Sequence, residues 1–276
     1  MSELQCAVYE DPQLGTFIIN IGLAIGIFAS YIPQHIKIIN RRSSEGLSPD
    51  FLLLGSVSAY SALFNIYIFT TLARHCCLNG LNAFQCSNSL TGFIQILLQA
   101  AGYILIFVLC VFATGGSLRQ SNRELSKLKN RFNIFLLFGV GCLGVYWLFL
   151  TFGDMSYVYR LGNFFGLLST LCAIIQYYPQ MRTTYLLKHA GSLSIPMMYL
   201  QTPGGFIWSY SLFSQPNSNW SSWLPYLMAA LLQCTLLMMC LYYQWKYPTA
   251  LTEANEQLRI VEENMRYNRE HYDSIS

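Results

Sequence analysis

The residues of this chain best suited to chemistry are uncharged polar side chains within long apolar segments. Amide and hydroxyl groups there can bind a small polar solute, and polar groups inside apolar segments are candidates for function. They can equally join one helix to another, for about 1 kcal/mol per hydrogen bond. The candidate solute-binding residues are Tyr31, Asn65, Asn163, Gln176, Tyr177 and Gln201.

Charged groups are scarce where chemistry would need them. The thirteen carboxylates lie at segment ends, in loops or in the C-terminal tail. Neither a Ser/His/Asp set nor a Cys/His metal spacing occurs, so the sequence predicts no enzyme, no metal and no other cofactor. No basic run with interleaved aromatics predicts a nucleic-acid partner. Asp50, which opens the second apolar segment, is the candidate for proton coupling, and stabilisation of a first helical turn is its alternative role.

Two Pro-Gln pairs, Pro33-Gln34 and Pro179-Gln180, belong to an ungapped internal match with a spacing of 146 residues (33 to 179). Tyr31 falls on Tyr177 in this match. Proline removes a backbone donor and crowds the carbonyl four residues earlier, and lipid cannot satisfy that carbonyl. The neighbouring glutamine offers two donors and an acceptor. We predict that both pairs act as hinges.

The composition places these residues in a lipid bilayer. Apolar residues make up 54% and charged residues 11%, against about 25% charged residues in soluble domains. Seven segments are long enough to cross roughly 30 Å of hydrocarbon. They are Thr16–Ile39, Phe51–Ala73, Leu90–Ala113, Phe132–Phe152, Leu161–Leu187, Ile195–Phe213 and Trp223–Tyr247. Residues 201–205 interrupt the sixth, and a count of six spans with a re-entrant sixth segment is the alternative.

The distribution of basic residues predicts the orientation. With the N-terminus outside, fourteen of the sixteen Lys and Arg residues fall on the cytosolic side, and only Arg74 and Arg160 fall outside. Both Pro-Gln pairs then lie at cytosolic ends, so the repeats are parallel and need an odd number of spans between them. The predicted fold is an all-α membrane protein of seven transmembrane helices, with two parallel three-helix bundles joined by a connector helix (3+1+3).

The predicted domains follow from this topology. Residues 1–15 form a lumenal N-terminus, and 16–114 form the first three-helix repeat. Residues 115–152 hold a cytosolic basic loop and the connector helix. Residues 153–247 form the second repeat, and 248–276 form a cytosolic tail. Within the repeats, Gly22-x-x-x-Gly26 and Gly162-x-x-x-Gly166 predict close helix packing.

Three further predictions concern the parts outside the spans. Cys76 or Cys77 is expected to pair with Cys86 in an oxidising lumen, and the partner of Cys6 is left open. Asn219, in Asn219-Trp220-Ser221, is a candidate glycosylation site. The chain ends near Tyr272-Asp273-Ser274-Ile275, in which Tyr272 and Ile275 resemble a sorting signal read by adaptor proteins.

With its two Pro-Gln pairs at matching places in seven spans, the sequence resembles the PQ-loop family. The stretch from Gly46 to Phe51, including Asp50, is similar to the cystinosin branch. The resemblance implies a carrier of amino acids or related cationic or zwitterionic solutes, often in lysosomal or vacuolar membranes, with the prolines as hinges for alternating access. Gln201 stands where the cystinosin branch has a proton-coupling aspartate, and glutamine cannot take up a proton.

These observations favour a transporter of a small polar solute. The alternative is a non-transporting membrane protein of the same fold that acts in trafficking or in lipid distribution between leaflets. A polar cavity lined by Asn65, Asn163 and Gln201 would favour transport, whereas a dry seam would favour the alternative.

Overall fold

The computed structural model describes residues 6–41, 48–113, 122–152, 155–188 and 195–248. The predicted sorting residues Tyr272 and Ile275 lie outside the described residues. Within the described ranges the regular structure is helical, beginning with a short 3-10 helix at Ala7–Tyr9. The α-helices are α1 (Leu14–Arg41), α2 (Pro49–Phe69), α3 (Thr71–Leu78), α4 (Ala83–Ser89), α5 (Thr91–Phe112), α6 (Asn122–Phe152), α7 (Met155–Leu187), α8 (Ile195–Phe213) and α9 (Trp220–Lys246).

Six of these helices, α1, α2, α5, α6, α7 and α9, are long and apolar enough to cross a membrane. The chain is therefore an integral membrane protein. The predicted sixth span corresponds to α8, which has 19 residues and contains Pro203. The polar stretch from Gln201 to Gly205 lowers the hydropathy of α8, so α8 is not among the six candidate spans. The 3+1+3 arrangement of seven spans stays a prediction.

The second predicted span, Phe51–Ala73, was placed too far along the chain at its C-terminal end. α2 begins with Ser48 as its N-cap, whose hydroxyl accepts a hydrogen bond from the Phe51 N–H, and ends at Phe69. Just beyond this end, the Arg74 guanidinium donates to the Tyr67 carbonyl at 2.7 Å and lies over the Tyr67 ring. Helix α3 follows at once.

The connector helix is longer than its predicted range, Phe132–Phe152. α6 begins at Asn122, and its first turns bury one apolar face of the helix. Leu128 and Phe132 pack with Ile38, Leu52 and Phe107 of α1, α2 and α5. This packing explains why a stretch rich in basic residues is helical rather than a loop.

The chain divides into two compact units whose boundaries differ from those of the predicted domains. Unit 1 contains Met1–Gln176 and Gly204–Ala230. Unit 2 contains Tyr177–Pro203 and Leu231–Ser276. Its core is formed by Met198, Leu236, Leu237 and Cys240, with Tyr177 and Met181 packed against them.

The two ends of unit 1 differ in chemistry and are named here by their contents. One end holds the 3-10 helix, α3 and α4 with the disulfides Cys6–Cys76 and Cys77–Cys86, and is called the disulfide end. The opposite end holds an ion pair between Asp50 of α2 and Arg131 of α6, and is called the Asp50 end.

Candidate functional site

Asn65 is completely buried near the disulfide end and uses all its hydrogen-bonding groups. Its amide nitrogen donates to the Gly162 carbonyl of α7 and to the Ser221 hydroxyl of α9, both at 2.8 Å. Its amide oxygen accepts from the Ser222 hydroxyl at 2.6 Å. Asn163 joins the same network, since its amide oxygen lies 2.8 Å from the Ser221 hydroxyl. Asn65 thus ties the second helix of the first repeat to the first and third helices of the second.

A second buried network lies at the same end. The Ser211 hydroxyl of α8 donates to the side-chain oxygen of Asn20 in α1. The Trp208 indole of α8 donates to Gln95 of α5 at 3.1 Å, and the Gln95 amide donates to the Asn20 carbonyl at 2.9 Å. Helix α8 is therefore held between α1 and α5, the first and third helices of the first repeat.

The two networks are equivalent under the internal repeat. Ser211 stands 146 residues after Asn65, and Gly166 stands 146 residues after Asn20. A Cβ at Gly166 would overlap the Ser221 backbone and the Asn65 amide. In one network the asparagine comes from the second helix and faces a glycine. In the other it comes from the first helix and faces a serine. The large side chain therefore stands on the second helix in one network and on the first helix in the other.

The glycine motifs of the two repeats behave differently. Gly162 and Gly166 pack closely as predicted, because a Cβ at Gly162 would press on Ile68 and Phe69 of α2. The prediction was wrong for Gly22 and Gly26, where an added Cβ would meet no described atom within 4 Å. In the first repeat, α1 contacts the other repeat through Asn20 and Ser211, and this contact does not require glycine at positions 22 and 26.

The contact between the two repeats within unit 1 is called the repeat seam. Between its disulfide end and its Asp50 end lies a group of aromatic and amide side chains. Gln176 donates to the Tyr103 hydroxyl at 2.9 Å, and the Tyr103 ring lies directly over Gly55. One residue earlier, Gly102 makes room for the ring of Tyr31. The candidate residues Tyr31 and Gln176 thus both lie against this part of α5, and sequence reasoning did not identify Tyr103.

The candidates Tyr177 and Gln201 are joined within unit 2. The Tyr177 hydroxyl donates to the side-chain oxygen of Gln233 at 3.3 Å, and the Gln233 amide donates to Gln201 at 3.0 Å. Gln201 thus belongs to a different compact unit from Asn65 and Asn163. The six candidates fall into three groups, and Asn65 and Asn163 are engaged in joining helices.

A second sequence spacing relates the third helices of the repeats. Cys110 and Cys240 are both fully buried and stand 130 residues apart (110 to 240). With the same spacing, Tyr103 corresponds to Gln233. Gly55 and Gln201 correspond at the spacing of 146. The first repeat therefore places a tyrosine over a glycine where the second repeat pairs two glutamines. This second spacing is the signal that would have identified Tyr103.

The predicted hinge prolines lie within continuous helices. α1 runs through Pro33 and α7 through Pro179. Both prolines are exposed on the helix surface, while Gln34 and Gln180 are half-buried. Two residues after Pro33, the ring of His35 lies 2.9 Å from the carbonyl oxygen of Gly102 through Nε2.

Asp50 is bound to a partner that sequence reasoning did not identify. Its carboxylate accepts from the Arg131 guanidinium at 2.7 Å, and 69% of the Asp50 side chain is exposed. The ion pair joins the first turn of α2 to the connector helix. Because the pair is exposed, its contribution to stability is small.

The N-terminal segment is fastened over the disulfide end. Cys6 pairs with Cys76, and Cys77 pairs with Cys86. Of the two partners predicted for Cys86, Cys76 or Cys77, the structure has Cys77. Next to Cys6, Tyr9 packs in a cluster with Ala73 and Cys76. Burial raises the pKa of Tyr9, and a hydrogen bond with Asn217 opposes that effect. The Tyr9 phenol therefore stays neutral at physiological pH.

A small cavity of about 20 Å³ lies beneath this segment, bounded by Tyr9, Thr70, Gln215 and Asn219 among others. Such a volume holds about one water molecule. Asn219, the candidate glycosylation site, uses its amide oxygen to cap the first turn of α9 through the Ser221 N–H at 3.0 Å. The Ser221 hydroxyl of the same sequon is buried among Asn65, Asn163 and Asn219.

Comparison with known proteins agrees with this internal symmetry. The PQ loop repeat family matches residues 16–73 and 161–221, and the second range contains the first shifted by 146 residues. A Schizosaccharomyces pombe (strain 972 / ATCC 24843) protein described as uncharacterized is 31% identical over 262 residues. The match covers 90% of this chain and 87% of that protein. The chain belongs to the PQ-loop repeat family of membrane proteins.

Proposed function

We propose that the protein transports a small polar solute by alternating access between its two three-helix repeats. One observation carries this proposal: the two equivalent networks around Asn65 and Asn20 close the repeat seam at the disulfide end. A seam held by paired hydrogen bonds can open and re-form. Each bond contributes roughly 1 kcal/mol, so opening both networks costs a few kcal/mol, and a solute that prefers the open state can supply that difference.

The proposed solute contacts are uncharged. Two groups offer such contacts, each within its own unit: Tyr31, Tyr103 and Gln176 in unit 1, and Tyr177 and Gln201 in unit 2. Amide groups can bind the carboxylate and ammonium of an amino acid, and tyrosine faces attract cations. This chemistry supports an amino acid or a related cationic or zwitterionic metabolite as the solute.

The hinges in this proposal are Pro33 with Gln34 and Pro179 with Gln180. Unit 2 begins at Tyr177, two residues before Pro179, and its first segment ends at Pro203. The boundary close to Pro179 supports flexing at that point, since proline removes a helical hydrogen bond, and the internal repeat extends the role to Pro33.

The hinge role is tested by uptake into proteoliposomes from an equimolar mixture of the twenty amino acids and choline, measured by mass spectrometry. Wild type is expected to accumulate at least one component, whereas Pro33→Leu and Pro179→Leu are expected to reduce the rate tenfold or more. Pro216→Leu, at an exposed loop proline, is the matched control. Wild-type rates in both hinge variants would exclude the hinge role.

Proton coupling is not part of the proposal. Gln201 has no titratable group, and Asp50 is engaged with Arg131 at the Asp50 end. We expect the uptake rate to be the same with and without an imposed pH gradient, and a Gln201→Asp substitution not to be needed for uptake. Uptake that collapses when a protonophore removes the gradient would contradict this expectation.

The proposed orientation places the disulfide end in a lumen, because disulfides persist in oxidising compartments. The C-terminal tail then lies in the cytosol, where the segment around Tyr272 can meet sorting adaptors. Together with the solute class, this supports a vacuolar or lysosomal membrane. A protease that removes a C-terminal tag from intact organelles but leaves an N-terminal tag would agree with this orientation.

One observation favours the alternative, a protein of this fold that acts in trafficking or lipid distribution without carrying a solute. The hydrogen-bonding groups of Asn65 are fully used between helices. The alternative predicts that no component of the mixture is accumulated and that none raises the Tm of the purified protein.

A further inference from the structure

The first turns of the connector helix carry an exposed basic face. Arg123 and Lys127 are exposed and four residues apart, so they are neighbours on the surface of α6. The opposite face is buried through Leu128 and Phe132. In the part of the chain that the structure describes, no carboxylate pairs with Arg123 or Lys127, whereas Arg131 is neutralised by Asp50.

Further along, the same face of α6 becomes apolar. Ile134 is 40% exposed and Leu137 is 73% exposed. Ile134 follows Lys127 by seven residues, which is two helical turns, so the two side chains lie on one face about 10 Å apart along the axis. Arg123 and Lys127 thus stand just below a strip of apolar side chains on the same face of α6.

We propose that this face binds an anionic phospholipid of the leaflet at the Asp50 end. Its head group lies against Arg123 and Lys127, and its acyl chains lie along Ile134 and Leu137. The charge of the two cations selects an anionic over a zwitterionic head group. The apolar strip distinguishes a lipid from a free phosphate, which would need only the cations. Juxtamembrane basic residues contribute about 1 kcal/mol each to attraction by anionic lipid.

The test is native mass spectrometry of delipidated protein in detergent, titrated with phosphatidylserine or phosphatidylcholine. Wild type should bind phosphatidylserine more tightly than phosphatidylcholine. Arg123→Gln with Lys127→Gln should weaken phosphatidylserine binding roughly thirtyfold and leave phosphatidylcholine binding unchanged. Arg160→Gln, at an exposed arginine outside this face, is the control and should bind as wild type.

A second variant separates the sources of phosphate. Ile134→Ser with Leu137→Ser should weaken phosphatidylserine binding but leave binding of inorganic phosphate at its wild-type level. The proposal is overturned if the double glutamine variant binds phosphatidylserine as wild type does. It is also overturned if wild type does not prefer phosphatidylserine, or if the double serine variant retains full phosphatidylserine binding. Because all four side chains are exposed, the variants should keep the wild-type Tm in phosphatidylcholine.

Discussion

At the scale of single residues, Asn65 and Asn20 have the same role, which is to bond one repeat to the other. Asn65 does so from the second helix of its repeat and Asn20 from the first. Each lies in a buried position where an unpaired amide would cost about 1–3 kcal/mol. Asn65 is satisfied by groups from the other repeat, and Asn20 by Ser211 of the other repeat together with Thr91 of its own. Ser211 and Gly166 occupy the matching positions. The hydrogen bonds of these asparagines stabilise the contact between the repeats, and the proposed opening of the seam would break them.

Replacing Asn65 by Ala should strongly destabilise the protein. The substitution leaves the Gly162 carbonyl and the Ser222 hydroxyl without their partner. We expect a loss of about 3 kcal/mol and a Tm lower by roughly 5–10 °C in a thermal unfolding assay in detergent. Asn40→Ala, at an exposed asparagine of α1, is the control and should shift the Tm by less than about 2 °C. Equal effects of the two variants would contradict the network.

The glycines of the two repeats should respond oppositely to alanine. Gly166→Ala forces a methyl group into the Ser221 backbone and the Asn65 amide, and overpacking of this kind costs about 1–3 kcal/mol. Gly22→Ala meets open space and gains helix propensity of up to about 1 kcal/mol. The Tm should therefore fall for Gly166→Ala and stay level or rise for Gly22→Ala. A lower Tm for Gly22→Ala than for Gly166→Ala would refute the assignment.

At the scale of elements, the N-terminal segment is the part that covalent bonds fix in place. The Cys6–Cys76 disulfide brings the 3-10 helix to α3, and Tyr9 packs beneath it. Its position over the ends of α2 and α8 suits a cover for the seam that the two networks close. The cover is anchored to the first repeat, so it stays with that repeat if the repeats separate.

The pairing is testable by counting thiols. Wild type, denatured without reductant, should have five free cysteines. Cys6→Ser should have six, because Cys76 loses its partner, and its Tm should fall by several degrees through loss of about 2 kcal/mol or more. Cys234→Ser, at a half-buried free cysteine, should have four and keep its Tm. Four thiols in Cys6→Ser would mean that two disulfides form without Cys6, which would contradict its pairing with Cys76.

The ends of the helices differ in how well the sequence predicts them. Long apolar segments predicted the ends of α1, α5 and α9 to within three residues, because lipid requires helical backbone over their whole length. α7 begins six residues before its predicted start, at Met155 rather than Leu161. At the end of α2, the Arg74 side chain reaches back to the Tyr67 carbonyl. The start of α6 depended on the burial of Leu128. Neither contact has a local sequence signal.

At the scale of the whole molecule, the repeat was visible in the sequence but the site was not. The spacing of 146 between the prolines predicted two equivalent repeats of the PQ-loop family. It could not show that Asn65 faces Gly166, because that contact joins the second helix of one repeat to the first of the other. Tyr103 was missed because its role depends on Gly55, 48 residues earlier, leaving room for its ring.

For the whole molecule, we propose that the seam at the disulfide end opens during transport. The side-chain oxygen of Asn65 lies 2.6 Å from the Ser222 hydroxyl, and we expect mild oxidation to join cysteines introduced at these two positions. Asn20→Cys with Ser211→Cys offers the equivalent cross-link in the other network. Both pairs connect helices of different repeats, and wild type treated with the same oxidant and reductant is the control for the native disulfides.

The most direct measurement is uptake of the amino-acid and choline mixture by proteoliposomes containing these double-cysteine variants, before oxidation, after it and after reduction. The cross-link is verified by mass spectrometry. The proposal predicts that oxidation reduces uptake at least tenfold in either pair and that reductant restores it, while wild type is unaffected. Uptake by the fully cross-linked protein at the rate of its reduced form, in both pairs, would contradict opening at the disulfide end.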